Sequence, residues 1–264
     1  MNSLVVIDAF RIPEGLKVST RVIGRTVFRQ NASLSPADAR IIESSMTDLK
    51  VVATIRPAEF MIPAYVDDIR EYLEILLVRA TVKAESAAEK LAGMLHRAMP
   101  YPVVAVLDMP GDAVHLSVAH KRNPVNNLGR MVIESMNSVV LSGRDGSGGP
   151  ERAFLASLDV SRLPVRNLFV TYQAIWDRIT AMRAASVVNV FGIPADPDQA
   201  ALLEKTLSEY LELTAQADAL RSRAERETQM NRRVEYNDQI SKLGQRQIAA
   251  VLKMQAIMAA GVER

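Results

Sequence analysis

Residues 72–120, YLEILLVRATVKAESAAEKLAGMLHRAMPYPVVAVLDMPGDAVHLSVAH, contain the pattern that decides the fold. The nearly continuous apolar run Tyr72–Val82 predicts a strand that is covered on both faces, and Val103–Leu107 predicts a second buried strand. Between these runs, apolar residues recur at helical spacing from Leu91 to Ala98, and Val114–His120 follows as a hairpin partner. The order β-α-β-β predicts an α/β (α+β) fold with a mixed sheet flanked by helices.

Local signals refine this prediction. Ser35–Asp38 combines a capping serine, a proline suited to the first turn and an acid at the positive helix end, so a helix should begin there. The β-branched run Leu49–Arg56 predicts a further strand. Ser86 and Glu89 match a capping box, in which each side chain accepts a hydrogen bond from the other residue's backbone. Pro110–Gly111 predicts a type II turn.

The C-terminal quarter has a different pattern. From Asp198 to Met258 there is no proline, and Gly244 is the only glycine. Apolar and small positions repeat at alternating spacings of four and three, as in a coiled coil. They are Leu203, Leu207, Tyr210, Thr214, Ala217 and Ala224, then Tyr236, Ile240, Leu243, Gln247, Ala250, Met254 and Ile257. We therefore predict an α/β body over residues 1–194 and a coiled-coil-like region over 195–264. This region is either one long helix or a hairpin bent near Arg221–Arg226.

Composition excludes several classes of protein. The 264 residues include no cysteine, so disulfides, thiolate zinc sites and a cysteine nucleophile are excluded. The N-terminal residues lack the basic region and long apolar core of a signal peptide. No apolar stretch approaches the roughly 20 residues of a membrane span. The net charge of +2 is too small to indicate a nucleic-acid binder. These features predict a cytoplasmic protein that does not enter a membrane.

The closest approach to a catalytic set is a nuclease-like arrangement. Such a metal site needs an acid and then an acid-x-Lys on the next strand. Asp108 is followed by Ala119-His120-Lys121, so alanine stands where the second carboxylate should be. Glu74 on the preceding strand could complete the set only through an unusual geometry. The alternative of an unusual nuclease therefore rests on Asp108, Glu74 and Lys121.

Three histidines, His96, His115 and His120, are the remaining candidates for metal ligands. His115 and His120 are five positions apart, so on one strand they point to opposite faces, which disfavours joint ligation. We expect all three to be partly exposed polar side chains. The sequence assigns no catalytic residue, no metal and no cofactor.

A cationic cluster ends the predicted hairpin strand. Lys121 and Arg122 could bind a phosphate or an acidic partner, and the basic N-terminal segment with Arg21 and Arg25 could extend the same patch. DNA binding through these four residues is a further alternative. The C-terminal region itself, from Asp196 onward, is balanced, with ten Lys/Arg and eleven Asp/Glu. That balance favours a protein partner over nucleic acid.

Segments along nearly the whole chain resemble a bacterial family, domain of unknown function 4391. They are LSPADARIIESSMTDLKVVATIRP (34–57), AMPYPVVAVL (98–107), HLSVAHKR (115–122), AFLASLDVSRLPVRNLFVTYQAIWDRITAMRAA (153–185) and ETQMNRRVEYNDQISKL (227–243). The chain departs from the family near residues 21–29, where relatives have a Pro-Lys-Lys-type run and Arg25 is the best equivalent. The resemblance implies a companion of DNA methyltransferases and helicases in restriction-type or phage-defence gene neighbourhoods, and it supplies no catalytic residues.

The sequence therefore predicts a non-catalytic accessory or adaptor subunit of a bacterial DNA-modification or phage-defence system. Its partner would be a protein such as a methyltransferase or helicase, held by the apolar stripe of the C-terminal region. The predicted partner-binding residues are Leu203, Leu207, Tyr210, Tyr236, Ile240 and Leu243. A nucleic-acid-processing or DNA-binding protein remains the alternative.

Overall fold

The computed structural model describes residues 1–16, 21–22, 35–122, 132–143 and 149–260. The chain divides into two compact units, Met1–Ile179 and Thr180–Arg264. This division lies within a helix, whereas the sequence places the domain boundary between residues 194 and 195.

The first unit is built on a mixed sheet of six strands within the described residues. The strands are β1 (Arg21–Val22), β2 (Met46–Ile55), β5 (Ile75–Val82), β6 (Val103–Met109), β7 (Ala113–Arg122) and β8 (Val132–Leu141), in the spatial order β1-β2-β5-β6-β7-β8. A separate two-stranded ribbon is formed by β3 (Tyr65–Val66) and β4 (Glu71–Tyr72). Strands β5 and β6 are parallel and all other neighbours are antiparallel. The predicted mixed sheet with its β-α-β-β core is confirmed.

Eight α-helices lie within the described residues. They are α1 (Ser3–Ala9), α2 (Pro36–Ser45), α3 (Pro57–Phe60), α4 (Ala88–Ala98), α5 (Pro150–Ser157), α6 (Leu168–Val188), α7 (Pro197–Arg226) and α8 (Met230–Ala259). Helix α4 makes the crossover between the parallel strands β5 and β6, as a parallel pair requires.

Helices cover both faces of the sheet. On one face, Val78 of β5 and Ala105 of β6 belong to a buried cluster with Leu91 and Leu95 of α4. On the other face, Tyr172 of α6 donates its hydroxyl to the carbonyl of Val103, at 2.7 Å. The apolar run of β5 is therefore buried on both sides, which is the reason its sequence does not alternate.

Of the local features predicted from the sequence, the start of α2 and the turn at Gly111 are confirmed, and the capping box is wrong. At α2, the Ser35 hydroxyl accepts a hydrogen bond from the Asp38 backbone at 3.1 Å, and the predicted helix start is confirmed. Gly111 has a φ of 77°, as the predicted turn requires. The capping box is wrong, because α4 begins at Ala88 without a side-chain cap. Glu89 instead contacts the imidazole of His115 and accepts a hydrogen bond from Ser138, at 2.7 and 2.8 Å.

The second unit contains the two long helices, α7 and α8. They pack against each other and are joined by three residues, 227–229, so the structure is a hairpin and not one continuous helix. Asp196 caps α7 by accepting a hydrogen bond from the Gln199 backbone at 2.8 Å. The bend follows Arg226, at the end of the region Arg221–Arg226 where a hairpin is predicted to turn.

Candidate functional site

Lys121, one of the four residues predicted to bind phosphate or nucleic acid, is buried in the structure. The pairing of β7 with β8 is irregular between His120 and Lys121, where Glu134 of β8 has no partner in the register. The Lys121 side chain is only 3% exposed. Its ammonium donates hydrogen bonds to the carbonyls of Met99 and Tyr101, at 2.7 and 2.6 Å. Met99 is the C-cap of α4, so the lysine satisfies carbonyls at a helix end. Burial lowers the pKa of Lys121 to about 7.

The four predicted cationic residues are not brought together as one described patch. Arg21 lies on β1, which is separated from β7 by three strands, or roughly 19 Å at 4.8 Å per strand. Arg122 is half-buried and has an interaction partner in the chain. Arg25 lies outside the described residues. Because the Lys121 ammonium donates to backbone carbonyls, it is not available for the predicted contact with a phosphate.

The nuclease-like residues are also apart. Asp108 pairs in register with Val114, and Lys121 is seven residues further along β7, about 23 Å away at 3.3 Å per residue. The Asp108 carboxylate accepts hydrogen bonds from the backbone and hydroxyl of Ser3, at 2.7 and 2.5 Å, and pairs with Arg79 at 2.9 Å. Burial opposes ionisation of Asp108, but the bonds from Ser3 and Arg79 outweigh it and lower its pKa.

The third member of that set has a different partner. Glu74 accepts a hydrogen bond from Arg56 at 3.1 Å. It directly precedes β5, at the end of the sheet opposite to Asp108, because β5 and β6 run parallel. The three residues therefore do not converge on one metal ion. Across the described part of the chain, no group of three or more His, Asp or Glu residues is placed to hold a metal.

The histidines are buried, and the expectation of partly exposed side chains is wrong. His115 and His120 do point to opposite faces, as predicted: His115 contacts Glu89 of α4, and His120 contacts Tyr72 from the ribbon. His96 lies 3.0 Å from the hydroxyl of Ser117, on the α4 side. Each histidine thus has a tertiary partner that nothing in its local sequence indicates.

His120 is the centre of an aromatic cluster that the sequence does not predict. Its Nδ1 atom is 2.7 Å from the hydroxyl of Tyr72. The rings of Trp176, Tyr172 and Phe169 surround it, with centroids 4.9, 5.5 and 5.6 Å from that of the imidazole. Their spacing of three and four along α6 is a signal of a common face, but it does not indicate a histidine partner.

The electrostatics keep this imidazole uncharged. Burial, together with the positive charge of Arg70, lowers the pKa of His120 to about 4. Arg70 itself is held outside the cluster by Glu134, with nitrogen–oxygen distances of 2.9 and 3.1 Å, and lies 5.5 Å from the ring centroid of Phe169. The cluster therefore packs the ribbon against α6 through uncharged rings.

The predicted partner-binding residues divide into two sets along the hairpin. Leu203 and Leu207 are already buried in the structure. Tyr210, Tyr236, Ile240 and Leu243 are half-buried. Leu203 and Leu207 are therefore not accessible on the surface of the folded unit, whereas the other four side chains are partly accessible.

Two polar members of the predicted stripe meet across the hairpin. The amide of Gln247 donates a hydrogen bond to the hydroxyl of Thr214 at 2.9 Å. Nearby, Arg246 pairs with Glu209 at 3.1 Å. These contacts fix the register of the two helices, in the way that polar residues in a coiled-coil seam do.

The far part of the hairpin, residues 218–240, is here called the distal arm. None of its residues is buried. A cavity of about 230 Å³ lies between its two helices. Its lining is formed by Arg221, Ala224, Glu225, Arg233, Asn237 and Ile240. The seam between the helices is therefore incompletely filled in the distal arm, whereas Leu213, Ala217 and Met254 are buried nearer its base.

Comparisons with known proteins give a family but no named relative. Neither the curated proteins nor the solved structures contain a match to this chain. No described helix is long and apolar enough to cross a membrane. The family model for domain of unknown function 4391 (DUF4391) matches residues 10–246, which cover both the sheet and most of the hairpin. The chain therefore belongs to the DUF4391 family.

Proposed function

We infer that this protein is a non-catalytic accessory subunit of a bacterial DNA-modification or phage-defence assembly, and that it holds a protein partner on the distal arm. The observation that carries this proposal is the absence of any buried residue across 218–240, although Tyr236 and Ile240 continue the apolar stripe. A methyltransferase or helicase is the kind of partner that the family resemblance favours.

The physical argument concerns how helices are stabilised. Helices in proteins derive most of their stability from packing an apolar face, not from intrinsic propensity. In the distal arm, Tyr236, Ile240 and, one turn further, Leu243 remain half-buried. A partner that covers this face would remove apolar surface from water at roughly 25 cal/mol per Å². Tyrosine at the centre of such a surface is a common contributor to binding energy.

The sheet supports a structural and not a catalytic role for the first unit. Lys121 donates to two backbone carbonyls, and Asp108 is paired with Arg79 at the opposite end of the strand pair. These charged groups are therefore already engaged by other groups of the first unit. The first unit would then serve as a rigid structural domain.

The test is co-purification of the full chain with the products of its neighbouring genes. We expect one neighbour to co-purify with the wild type and Ile240→Asp to weaken its capture at least tenfold, equivalent to about 1.4 kcal/mol. The matched control is Ser241→Asp, which adds the same charge at the adjacent exposed position. Circular dichroism checks that both variants keep their helices. Equal capture by both variants, or no captured neighbour, would contradict the proposal.

The alternative, a nucleic-acid-binding or nucleic-acid-processing protein, has weaker support because Lys121 is buried. Its remaining candidates are Arg21, Arg25 and Arg122. It predicts an affinity for DNA that falls steeply with salt, and metal-dependent cleavage that Lys121→Ala abolishes. Filter binding over a salt series and a plasmid-nicking assay with Mg²⁺ or Mn²⁺ would measure both.

A further inference from the structure

The ribbon and the residues that flank it, 61–73 in all, carry exposed apolar side chains on their outer surface. Met61 is 88% exposed and Val66 is 64% exposed, and Ile69 and Leu73 are also exposed. Val165 from the neighbouring segment is exposed as well, and that segment is attached through the hydrogen bond from the Leu168 backbone to the Pro63 carbonyl, at 2.9 Å. Several exposed apolar side chains on one short segment make that segment a candidate interaction site.

The inner side of the ribbon is firmly anchored. Tyr72 is buried and bonded to His120, and Tyr65 stacks on Phe169 with ring centroids 5.0 Å apart. The turn is closed by Asp67, which accepts hydrogen bonds from the Arg70 and Ile69 backbones at 2.6 and 2.9 Å. A surface fixed in this way loses little conformational entropy when a partner binds.

Two carboxylates at this surface have no ion pair with any described residue. Asp68 and Glu71 are both exposed, whereas the one arginine of the ribbon, Arg70, is paired with Glu134. The outer surface is thus apolar with unneutralised negative charge. Its complement would be an apolar segment that carries unpaired positive charge.

The hairpin tip, residues 221–234, has those complementary properties. It contains five arginines and two glutamates, a net charge of +3. Arg223, Arg226 and Arg233 form no ion pair within the described residues. Met230 and Val234, one turn apart on α8, are 71% and 57% exposed. The tip therefore combines exposed apolar side chains with free guanidinium groups, which pair well with carboxylates.

We propose that the hairpin tip of one copy of this chain docks on the ribbon of a second copy. Met230 and Val234 contact the apolar surface around Val66 and Leu73, and arginines of the tip pair with Asp68 and Glu71. This contact joins two different surfaces, so it is heterologous and can produce closed rings or open chains. The inference goes beyond the proposed function, because it assigns to the same hairpin a second contact, through Met230 and Val234 and not through Tyr236 and Ile240.

The test is the mass of the full chain, measured by light scattering over a wide range of concentration. We expect a mass above that of the monomer that falls on dilution and with added salt, which screens the charges. Reversing the ribbon charges (Asp68→Lys with Glu71→Lys), or those of the tip (Arg226→Glu with Arg233→Glu), should weaken association at least tenfold. The control for the ribbon pair is Glu204→Lys with Glu212→Lys, which makes the same change of charge at exposed positions elsewhere. The control for the tip pair is Lys205→Glu with Lys253→Glu, also at exposed positions.

A mixing experiment separates lost docking from lost folding. The ribbon-reversed and tip-reversed variants each have one intact surface, and the reversed tip matches the reversed ribbon. The mixture should therefore associate, although each variant alone does not. A wild type that is monomeric at every concentration, or a mixture that fails to associate, overturns the proposal. Capture of a neighbour through Ile240 by a monomeric chain would leave the proposed function intact while this inference fails.

Discussion

At the scale of single residues, the environment of a charged group decides what it can do. Lys121 and Arg122 are adjacent in the sequence and have the composition of a surface patch. The ammonium of Lys121 instead donates hydrogen bonds to carbonyls at the end of α4. Those two hydrogen bonds favour the charged form, whereas burial opposes it, and the net effect is a lowered pKa.

The first prediction concerns the pH dependence that Lys121 imposes on stability. Its pKa is about 7 when folded, against 10.5 for an ordinary lysine, so the unfolded chain binds more protons between these values. Stability should then rise with pH across this window, by up to about 1.4 kcal/mol per unit. Lys121→Met should remove this rise, as measured by urea denaturation from pH 7 to pH 10. The exposed control Lys90→Met should follow the wild type, and an unchanged slope in Lys121→Met would refute the assignment.

The second prediction concerns the hydrogen bond between Tyr72 and His120. Tyr72→Phe leaves Nδ1 of the buried imidazole without a partner, which should lower the free energy of unfolding by about 1–3 kcal/mol. Thermal and denaturant unfolding measure the loss. Tyr101→Phe, at an exposed tyrosine, should change stability by less than about 0.5 kcal/mol. Similar losses in both variants would mean that the bond contributes nothing specific.

At the scale of elements, contacts with distant residues override local patterns. Glu89 satisfies the spacing of a capping box, yet its carboxylate contacts His115 and Ser138 from neighbouring strands. Helix α4 accordingly begins after a short 3-10 turn, Glu85–Ala87, without a side-chain cap. In the hairpin, by contrast, the local pattern and the tertiary contacts agree. Thr214 and Gln247 occupy predicted seam positions and form a hydrogen bond across the seam.

The third prediction compares two glycines of the second unit. A Cβ atom at Gly192 would lie 2.0 Å from the carbonyl oxygen of Met258, near the end of α8, whereas one at Gly244 would meet nothing within 4 Å. Gly192→Ala should cost about 1–3 kcal/mol or more through overpacking. Gly244→Ala, inside α8, should stabilise by about 0.5–1 kcal/mol. Chemical denaturation of both variants measures these opposite signs, and the same sign for both would contradict the packing at Gly192.

At the scale of the whole molecule, burial is unevenly distributed. The sheet of the first unit is covered on both faces, and the base of the hairpin is buried at Leu203, Leu207 and Leu213. The distal arm has no buried residue at all. Stability and partner binding are therefore expected to depend on different parts of the chain.

The fourth prediction follows from that separation. Replacing the distal arm (218–240) with a short glycine-rich turn should change the free energy of unfolding by less than about 1 kcal/mol, because the lost half-buried contacts are offset by the entropy of ordering them. Leu207→Ala, at the base, should cost about 2–5 kcal/mol. Denaturation followed by circular dichroism compares the two. A large loss from the shortened hairpin would show that the arm stabilises the unit.

The sequence by itself determined the β-α-β-β core, the start of α2 and the repeating seam of the C-terminal region. These features depend on periodicity and on residues within a few positions of one another, so the chain pattern is sufficient. It did not indicate β8 or the aromatic cluster around His120, whose partners come from distant segments.

Only the tertiary structure decided that the long C-terminal pattern bends into a hairpin, because no proline or glycine marks the turn and the same repeat of apolar positions is compatible with either form. It also decided which charged residues are accessible. Lys121 donates hydrogen bonds to the carbonyls of Met99 and Tyr101, and the carboxylate of Asp108 accepts a hydrogen bond from Ser3 and pairs with Arg79. The physical reason is that burial and hydrogen bonding depend on which distant backbone and side-chain groups meet, and that information is not contained in local spacing.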